Sequence, residues 1–137
     1  ELQTILHYKL PVKLFVWNND GYLSIRASQK NYFEERYIGE GPRSGVSIPD
    51  TLKICEAYGL PAARVCDLAE LDSAIKKAIS YDGPYVLEII TPPEQPIVPT
   101  VSSRVNPDGS MSSRPLEDMA PFLDREEYRS NLLIDEI

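Results

Sequence analysis

Short apolar runs alternate with segments of helical periodicity along the first two thirds of the chain. The apolar runs are rich in β-branched and aromatic residues and span 12–17, 62–66 and 84–91. Strands that alternate with helices are typical of a parallel sheet with right-handed crossovers. The pattern therefore predicts an α/β fold in which helices flank a parallel sheet, with Trp17 in its core.

Four helices are predicted around these strands. The first contains Leu2 and is closed off by Pro11, and the second runs from Tyr22 to about Lys30. The third begins within residues 47–50, where Ser47 or Asp50 can cap free N–H groups, and stops at Gly59, where a left-handed cap costs glycine nothing.

The fourth helix is predicted from a capping signal and an apolar stripe. Asp67 with Glu70 three residues later resembles a capping box, and the helix should end near residues 81–83. One apolar stripe is expected to face the sheet, formed by Leu68, Leu71, Ile75 and Ile79.

Two segments depart from this alternation. Residues 34–47 are rich in glycine and charge and predict a mobile loop. Residues 92–137 contain seven of the twelve prolines and predict an extended, Pro-rich C-terminal tail with one helix at 124–131. The expected division is therefore a sheet-containing region at 1–91 and a tail at 92–137.

Composition narrows the class of protein and of partner. The chain has 137 residues, a net charge of −7 and a pI of about 4.7, which argues against nucleic acid as a partner. No apolar run approaches the roughly 20 residues of a membrane helix, so no membrane partner is expected. Cys55 and Cys66 lack metal-site spacing and are expected to be buried thiols in a reducing compartment, which favours the cytoplasm.

The turn after the first strand carries the candidate chemistry. Asn18, Asn19, Asp20 and Gly21 follow a buried strand and precede a helix, and ligands of parallel sheets bind at the carboxyl ends of strands. Amide and carbonyl oxygens suit Mg²⁺, and N–H groups at 22–24 suit a diphosphate. The alternative is a turn in which both asparagines only cap and bend the backbone.

The same residues resemble those of a known family. Residues 1–26 are similar to the second half of the thiamine-diphosphate motif, which begins with Gly-Asp-Gly and closes with Asn-Asn after a helix and a strand. The resemblance to acetolactate-synthase-like enzymes includes Glu1-Leu2, the LPVK strand entry at 10–13 and Asn18-Asn19. It extends to the tail through residues 113–119 and 121–123.

This resemblance implies a role for each residue of the turn. Asn19, through its side chain, and Gly21, through its backbone carbonyl, would ligate Mg²⁺. Tyr22, Leu23 and Ser24 would lie along thiamine diphosphate, with Asn18 as the structural member of the pair. No catalytic residue is expected in this chain, because the Gly-Asp-Gly motif and the activating glutamate would lie upstream. The chain is thus expected to be a C-terminal fragment.

The implied activity is that of a decarboxylating carboligase, a transferase acting on a pyruvate-like 2-keto acid. A homodimer or homotetramer is implied for the full-length protein, and whether a domain outside this chain binds FAD as a further cofactor is left open. Ser24 and Ser28 stand where acetohydroxyacid synthases carry Met and Trp, so the substrate is open. The alternatives are a non-ligating decarboxylase, a cyclic-dione hydrolase or a non-catalytic binding or assembly module of the same fold.

Overall fold

The computed structural model describes residues 1–134, which fall into two compact units that divide between Gln95 and Pro96. The first unit contains a three-stranded parallel sheet in the order β1-β3-β2. Its strands are β1 (Lys13–Asn18), β2 (Ala62–Val65) and β3 (Tyr85–Ile90). The predicted α/β fold with a parallel sheet flanked by helices is confirmed.

The helices of this unit follow the predicted order. They are α1 (Leu2–His7), α2 (Leu23–Tyr32), α3 (Thr51–Tyr58) and α4 (Leu68–Ser80), with a short 3₁₀ turn at Pro42–Ser44. Of the two candidate caps, Asp50 caps α3 by accepting from the Leu52 N–H at 3.1 Å, and Gly59 ends the helix at φ 72° as predicted. Within the described residues, no helix combines the length and the apolar character that crossing a bilayer requires.

The core lies on both faces of the central strand β3, because successive side chains of a strand point to opposite faces. One cluster joins Ile5 of α1 and Cys55 of α3 to Val86. The other joins Ala78 of α4 to Tyr85 and Leu87. Parallel strands are typically covered on both faces in this way.

The predicted apolar stripe of α4 is half wrong. Leu71 and Ile75 pack on the core as expected, but Leu68 and Ile79 are largely exposed. Ala74 and Ala78 also belong to this contact, so the stripe that faces the sheet is centred on these small residues. Leu68 and Ile79 lie beside the stripe rather than in it.

Two further burial predictions were wrong. Trp17 is 69% exposed because β1 is an edge strand, and its side chain alternates away from the cluster that Leu14 and Val16 join. Cys66 is exposed because it lies just beyond the end of β2, whereas Cys55 is buried as expected. Neither thiol is in a disulfide.

The second unit contains more regular structure than an extended tail. Strands β4 (Ser103–Val105) and β5 (Met111–Ser113) form an antiparallel pair, and α5 (Arg125–Asn131) begins after Asp124. The Asn-Pro-Asp-Gly turn explains the pair, since these residues favour turns and the Asn106 N–H donates to the Ser110 carbonyl at 2.8 Å. Residues 135–137 of the predicted tail lie outside the described residues.

Candidate functional site

The segment 18–22 connects the carboxyl end of β1 to the start of α2. Its backbone turns sharply, with φ of 56° at Asp20 and 147° at Gly21. Positive φ is uncommon for most residues with a side chain but is tolerated by aspartate, so Asp20 suits this turn. We call residues 18–22 the asparagine loop.

Asn18 is fully engaged by its neighbours. Its Nδ2 donates to Glu88 Oε1 at 2.8 Å, and its Oδ1 accepts from the Asp20 N–H at 3.0 Å. Its backbone carbonyl accepts from the Thr91 N–H at 2.9 Å. Asn18 therefore fixes the start of the asparagine loop to β3.

Asn19 differs from its neighbour because its amide group is uncommitted. Among residues 1–134, none forms a hydrogen bond with the Asn19 side chain, which is half-buried. An amide oxygen in this state can ligate a hard cation such as Mg²⁺. The two asparagines thus divide into one that holds the loop and one that is available to a ligand.

Gly21 lies where no side chain fits. A Cβ at this position would be 2.1 Å from the Glu40 carbonyl oxygen and 2.8 Å from Arg26 Nη2. The next residue, Tyr22, donates its N–H to the same carbonyl at 2.8 Å. The asparagine loop therefore packs backbone against backbone on the segment that contains Glu40.

A buried ion pair joins these two segments. Arg26 Nε donates to Glu40 Oε2, and the two side chains are only 11% and 4% exposed. Arg26 also donates to the Asp20 carbonyl at 3.2 Å and to the Pro93 carbonyl. The Arg26–Glu40 pair thus connects the asparagine loop, the Gly-rich segment and the chain after β3.

The Gly-rich segment predicted as a mobile loop has a defined set of contacts around Glu40. Ser44 Oγ accepts from the N–H groups of Glu40 and Gly41 at 2.9 and 3.0 Å. The 3₁₀ turn at Pro42–Ser44 lies within this segment. Of its glycines, Gly41 packs closely on the asparagine loop, since a Cβ there would be 2.9 Å from Arg26 Nη2 and 3.2 Å from the Asp20 carbonyl oxygen.

The start of α2 presents the remaining candidate residues. No side chain caps its first turn, so the free N–H groups of that turn are available to an anion. Tyr22 and Ser24 are exposed and Leu23 is half-buried. The N–H of Tyr22 is committed to Glu40, so this residue would contact a ligand through other atoms.

Sequence reasoning missed Glu88, which lies in β3 and is fully buried. Its Oε1 accepts from Asn18 Nδ2 and from Thr51 Oγ1 at 2.9 Å, and its Oε2 accepts from Arg64 Nε. The available signal was a single acidic residue in the otherwise apolar run YVLEII. A buried carboxylate requires partners, and the register that pairs Arg64 with Glu88 supplies one.

The pKa of Glu88 predicts how stability depends on pH. Burial raises the pKa of this carboxyl, but hydrogen bonds from Asn18, Arg64 and Thr51 together outweigh it, so the pKa lies below its ordinary value. The unfolded chain therefore binds a proton more readily. The stabilisation is complete well above the ordinary glutamate pKa of about 4.3 and is lost as the pH falls through the lower folded pKa.

We accordingly expect the free energy of unfolding to fall as the pH drops below about 4. Urea unfolding at a series of pH values measures this, with Glu88→Gln as the comparison. The variant should be less stable near neutral pH and show a shallower acid decline. Parallel acid declines in the two proteins would contradict the assignment.

The described residues contain no group of three or more His, Cys, Asp or Glu side chains suited to a metal ion. The oxygen donors of the asparagine loop that form no hydrogen bond with another described residue include the amide of Asn19, the exposed carboxylate of Asp20 and the backbone carbonyl of Gly21. This donor set matches the chemistry of Mg²⁺, which binds few protein ligands and keeps water or phosphate oxygens. The residues of the asparagine loop therefore fit the Mg²⁺ ion that the resemblance implies.

Comparison with known proteins identifies a family. Residues 1–89 match the profile described as "Thiamine pyrophosphate enzyme, C-terminal TPP binding domain". Acetolactate synthase 2, chloroplastic, of Nicotiana tabacum is 33% identical over 107 residues, which are 75% of this chain and 16% of the relative. The acetolactate synthase catalytic subunit, mitochondrial, of Aspergillus candidus is 32% identical over 101 residues, which are 74% of this chain and 14% of the relative.

A third relative, the acetolactate synthase large subunit of Pyropia yezoensis, is 36% identical over 88 residues, which are 64% of this chain and 15% of the relative. The chain thus spans about one sixth of the length of the relatives it matches.

Proposed function

Because the chain belongs to the thiamine pyrophosphate enzymes, as part of their C-terminal TPP binding domain, we propose that its asparagine loop binds Mg²⁺ and the cofactor diphosphate. Asn19, through its amide oxygen, and Gly21, through its carbonyl, would ligate the metal. Tyr22, Leu23 and Ser24 would lie along thiamine diphosphate. The observation that carries this proposal is the uncommitted Asn19 amide beside the fully engaged Asn18.

The surroundings of the loop support the same proposal. The uncapped first turn of α2 offers N–H groups and the positive end of the helix dipole to a diphosphate. The absence of a side chain at Gly21 lets its backbone lie against the Glu40 segment, which supports a fixed position for the carbonyl proposed as a metal ligand. Both features favour an anion and a hard cation bound together.

For the whole protein, we propose a thiamine diphosphate- and Mg²⁺-dependent decarboxylating carboligase acting on a pyruvate-like 2-keto acid. The bound cofactor supplies the electron sink that such a decarboxylation requires. The residues of this chain bind and orient it, and none of them is assigned a proton transfer. Because the Gly-Asp-Gly motif and the activating glutamate are expected upstream, the chain by itself should be inactive, and FAD is assigned to no residue in it.

Ser24 and Ser28 are the reason to consider a second candidate reaction. They are exposed, lie four residues apart and so share one side of α2. Where the resembling synthases carry Met and Trp, these small side chains leave more room for an acceptor. A pocket of different size discriminates acceptors by about 1–3 kcal/mol per methylene, so non-ligating decarboxylation or cyclic-dione cleavage is the runner-up.

Turnover by the full-length polypeptide tests the proposed activity. Pyruvate and other 2-keto acids are supplied with and without thiamine diphosphate and Mg²⁺, CO₂ release is measured, and products are identified by NMR. We expect CO₂ release that requires both cofactors and a carbon–carbon coupled product. An aldehyde as the only product would instead indicate a non-ligating decarboxylase, and cleavage of a cyclic dione would indicate a cyclic-dione hydrolase. Absence of cofactor-dependent turnover would favour a non-catalytic binding or assembly module.

Assembly and compartment are also proposals. The exposed side chains of Phe15 and Trp17 on β1 support burial against other protein, in a homodimer or homotetramer of the full-length polypeptide. Light scattering during size-exclusion chromatography measures the mass of the assembly and so distinguishes a dimer from a tetramer.

The free thiols support a reducing compartment such as the cytoplasm, although several relatives are named chloroplastic or mitochondrial. Imaging of a tagged full-length protein tests the location.

A further inference from the structure

Glu88 is a fully buried charged side chain that the proposed site does not use directly. It lies on the central strand, yet its hydrogen-bond partners come from β1, β2 and α3. Buried ion pairs often contribute little net stability, so stability alone is a weak explanation for a charge at this position. Its contact with Asn18 suggests a more specific role.

We propose that Glu88 is a positioning residue, which fixes the orientation of the Asn18 amide and thereby the geometry of the asparagine loop that presents Asn19 to the metal. This inference rests on the proposed function of the loop. It assigns to Glu88 no contact with the cofactor or with the substrate.

The carboxylate is itself held on both oxygens. Thr51 donates to Oε1 at 2.9 Å and Arg64 donates to Oε2, while Arg64 Nη2 also donates to Asp50 Oδ1 at 3.0 Å. Asp50 in turn caps α3. Glu88 is therefore a fixed acceptor, supported by α3 and β2 as well as by its own strand.

A fixed acceptor determines which way the Asn18 amide faces. An ionised carboxylate only accepts hydrogen bonds, so Nδ2 must face Glu88 and Oδ1 must face the other way. In that orientation Oδ1 accepts from the Asp20 N–H at 3.0 Å. In Glu88→Gln, Arg64 Nε only donates and so keeps the amide oxygen on its own side, which turns the NH2 group toward Asn18 and removes the acceptor for Nδ2.

The Asp20 contact has a consequence for the loop. Asp20 adopts φ 56°, a left-handed conformation that aspartate tolerates and that the Asn18 bond stabilises further, and it lies between the two proposed metal ligands Asn19 and Gly21. Losing the Asn18 bond would let Asp20 relax and displace both ligands. Groups that orient metal ligands typically change metal affinity by about 10- to 100-fold when they are removed.

Hydrogen exchange of the cofactor-free full-length polypeptide tests the link between Glu88 and the loop. In Glu88→Gln, amides of the peptide that contains Asp20 should exchange about tenfold faster than in the wild type. Thr51→Val is the matched control, since it removes a hydrogen bond to the same carboxylate from the α3 side. Unchanged exchange in Glu88→Gln, or equal acceleration in both variants, would overturn the inference.

Cofactor titration then tests positioning. With saturating Mg²⁺, Glu88→Gln and Asn18→Ala should each weaken thiamine diphosphate binding by about tenfold or more. The double variant should bind the cofactor no more weakly than the single variant that has the lower affinity. Penalties that multiply in the double variant would mean that the two residues act independently. That result would overturn the inference even if each single variant binds poorly.

The two readouts separate failure of this inference from failure of the proposed function. A wild-type protein that binds no thiamine diphosphate, with Glu88→Gln still accelerating exchange of the loop, would contradict the proposed function. Wild-type binding with an unaffected loop in Glu88→Gln would contradict the role of Glu88. If circular dichroism shows that Glu88→Gln does not fold, the same exchange experiment is made on Asn18→Ala. Unchanged exchange of the peptide that contains Asp20 in this variant would overturn the inference.

Discussion

Gly21→Ala should abolish thiamine diphosphate binding and destabilise the protein by about 2–4 kcal/mol. The added Cβ would lie 2.1 Å from the Glu40 carbonyl oxygen, which is backbone and cannot turn aside. The φ of 147° is also a conformation that residues with a side chain rarely adopt. Relief would require the asparagine loop to leave the Glu40 segment, which would displace the proposed ligands. Urea unfolding and calorimetric titration of the full-length polypeptide measure the two effects.

Gly39→Ala is the matched control for this substitution. Gly39 also has a positive φ, 65°, and lies in the segment that contacts the asparagine loop, but a Cβ there would meet nothing within 4 Å. Its cost should be limited to backbone conformation, about 1 kcal/mol, with cofactor binding retained. Equal losses of binding in the two variants would show that the contact at Gly21 does not matter.

Arg26→Leu should lower the free energy of unfolding by about 3–5 kcal/mol. The substitution leaves the Glu40 carboxylate buried without its cation, and it removes donors to the Asp20 and Pro93 carbonyls. An uncompensated buried charge costs far more than a pair at the surface gains. Urea unfolding monitored by circular dichroism measures the change.

Lys76→Leu provides the comparison with an exposed pair. Lys76 and Asp72 form an ion pair of 2.6 Å on α4, and both side chains are largely exposed. Its loss should cost less than about 0.5 kcal/mol. Adding Glu40→Gln to Arg26→Leu should recover part of the loss, because it removes the stranded charge. A similar small effect for Arg26→Leu and Lys76→Leu would contradict the account of a buried pair.

The elements of the sheet-containing unit could be predicted because their signals are local. The start of α3 within residues 47–50 and its left-handed end at Gly59 are each specified within a few residues, and both were confirmed, with Asp50 as the cap. The alternation of strands and helices then left few topologies to consider. The asparagine loop could be located for the same reason, since it follows directly from a strand end and a glycine.

The contacts that hold the loop could not be predicted in this way. Asn18 and Glu88 are 70 residues apart, and Arg26 and Glu40 are 14 apart, with Glu40 on a segment without periodicity. Their pairing depends on the register of β1 and β3 and on the path of the Gly-rich segment. The exposure of Trp17 has a similar origin, because periodicity predicts a strand but not whether it lies at the edge of a sheet.

The central claim is that Asn19 ligates Mg²⁺ and so anchors the cofactor, and calorimetric titration of the full-length polypeptide tests it most directly. Thiamine diphosphate is titrated with and without Mg²⁺ into the wild type, Asn19→Ala and Asn31→Ala, the last being an exposed asparagine near the end of α2. We predict Mg²⁺-dependent binding that Asn19→Ala weakens at least tenfold, about 1.4 kcal/mol, and that Asn31→Ala leaves unchanged. Binding that needs no Mg²⁺, or that is the same in both variants, would contradict the claim.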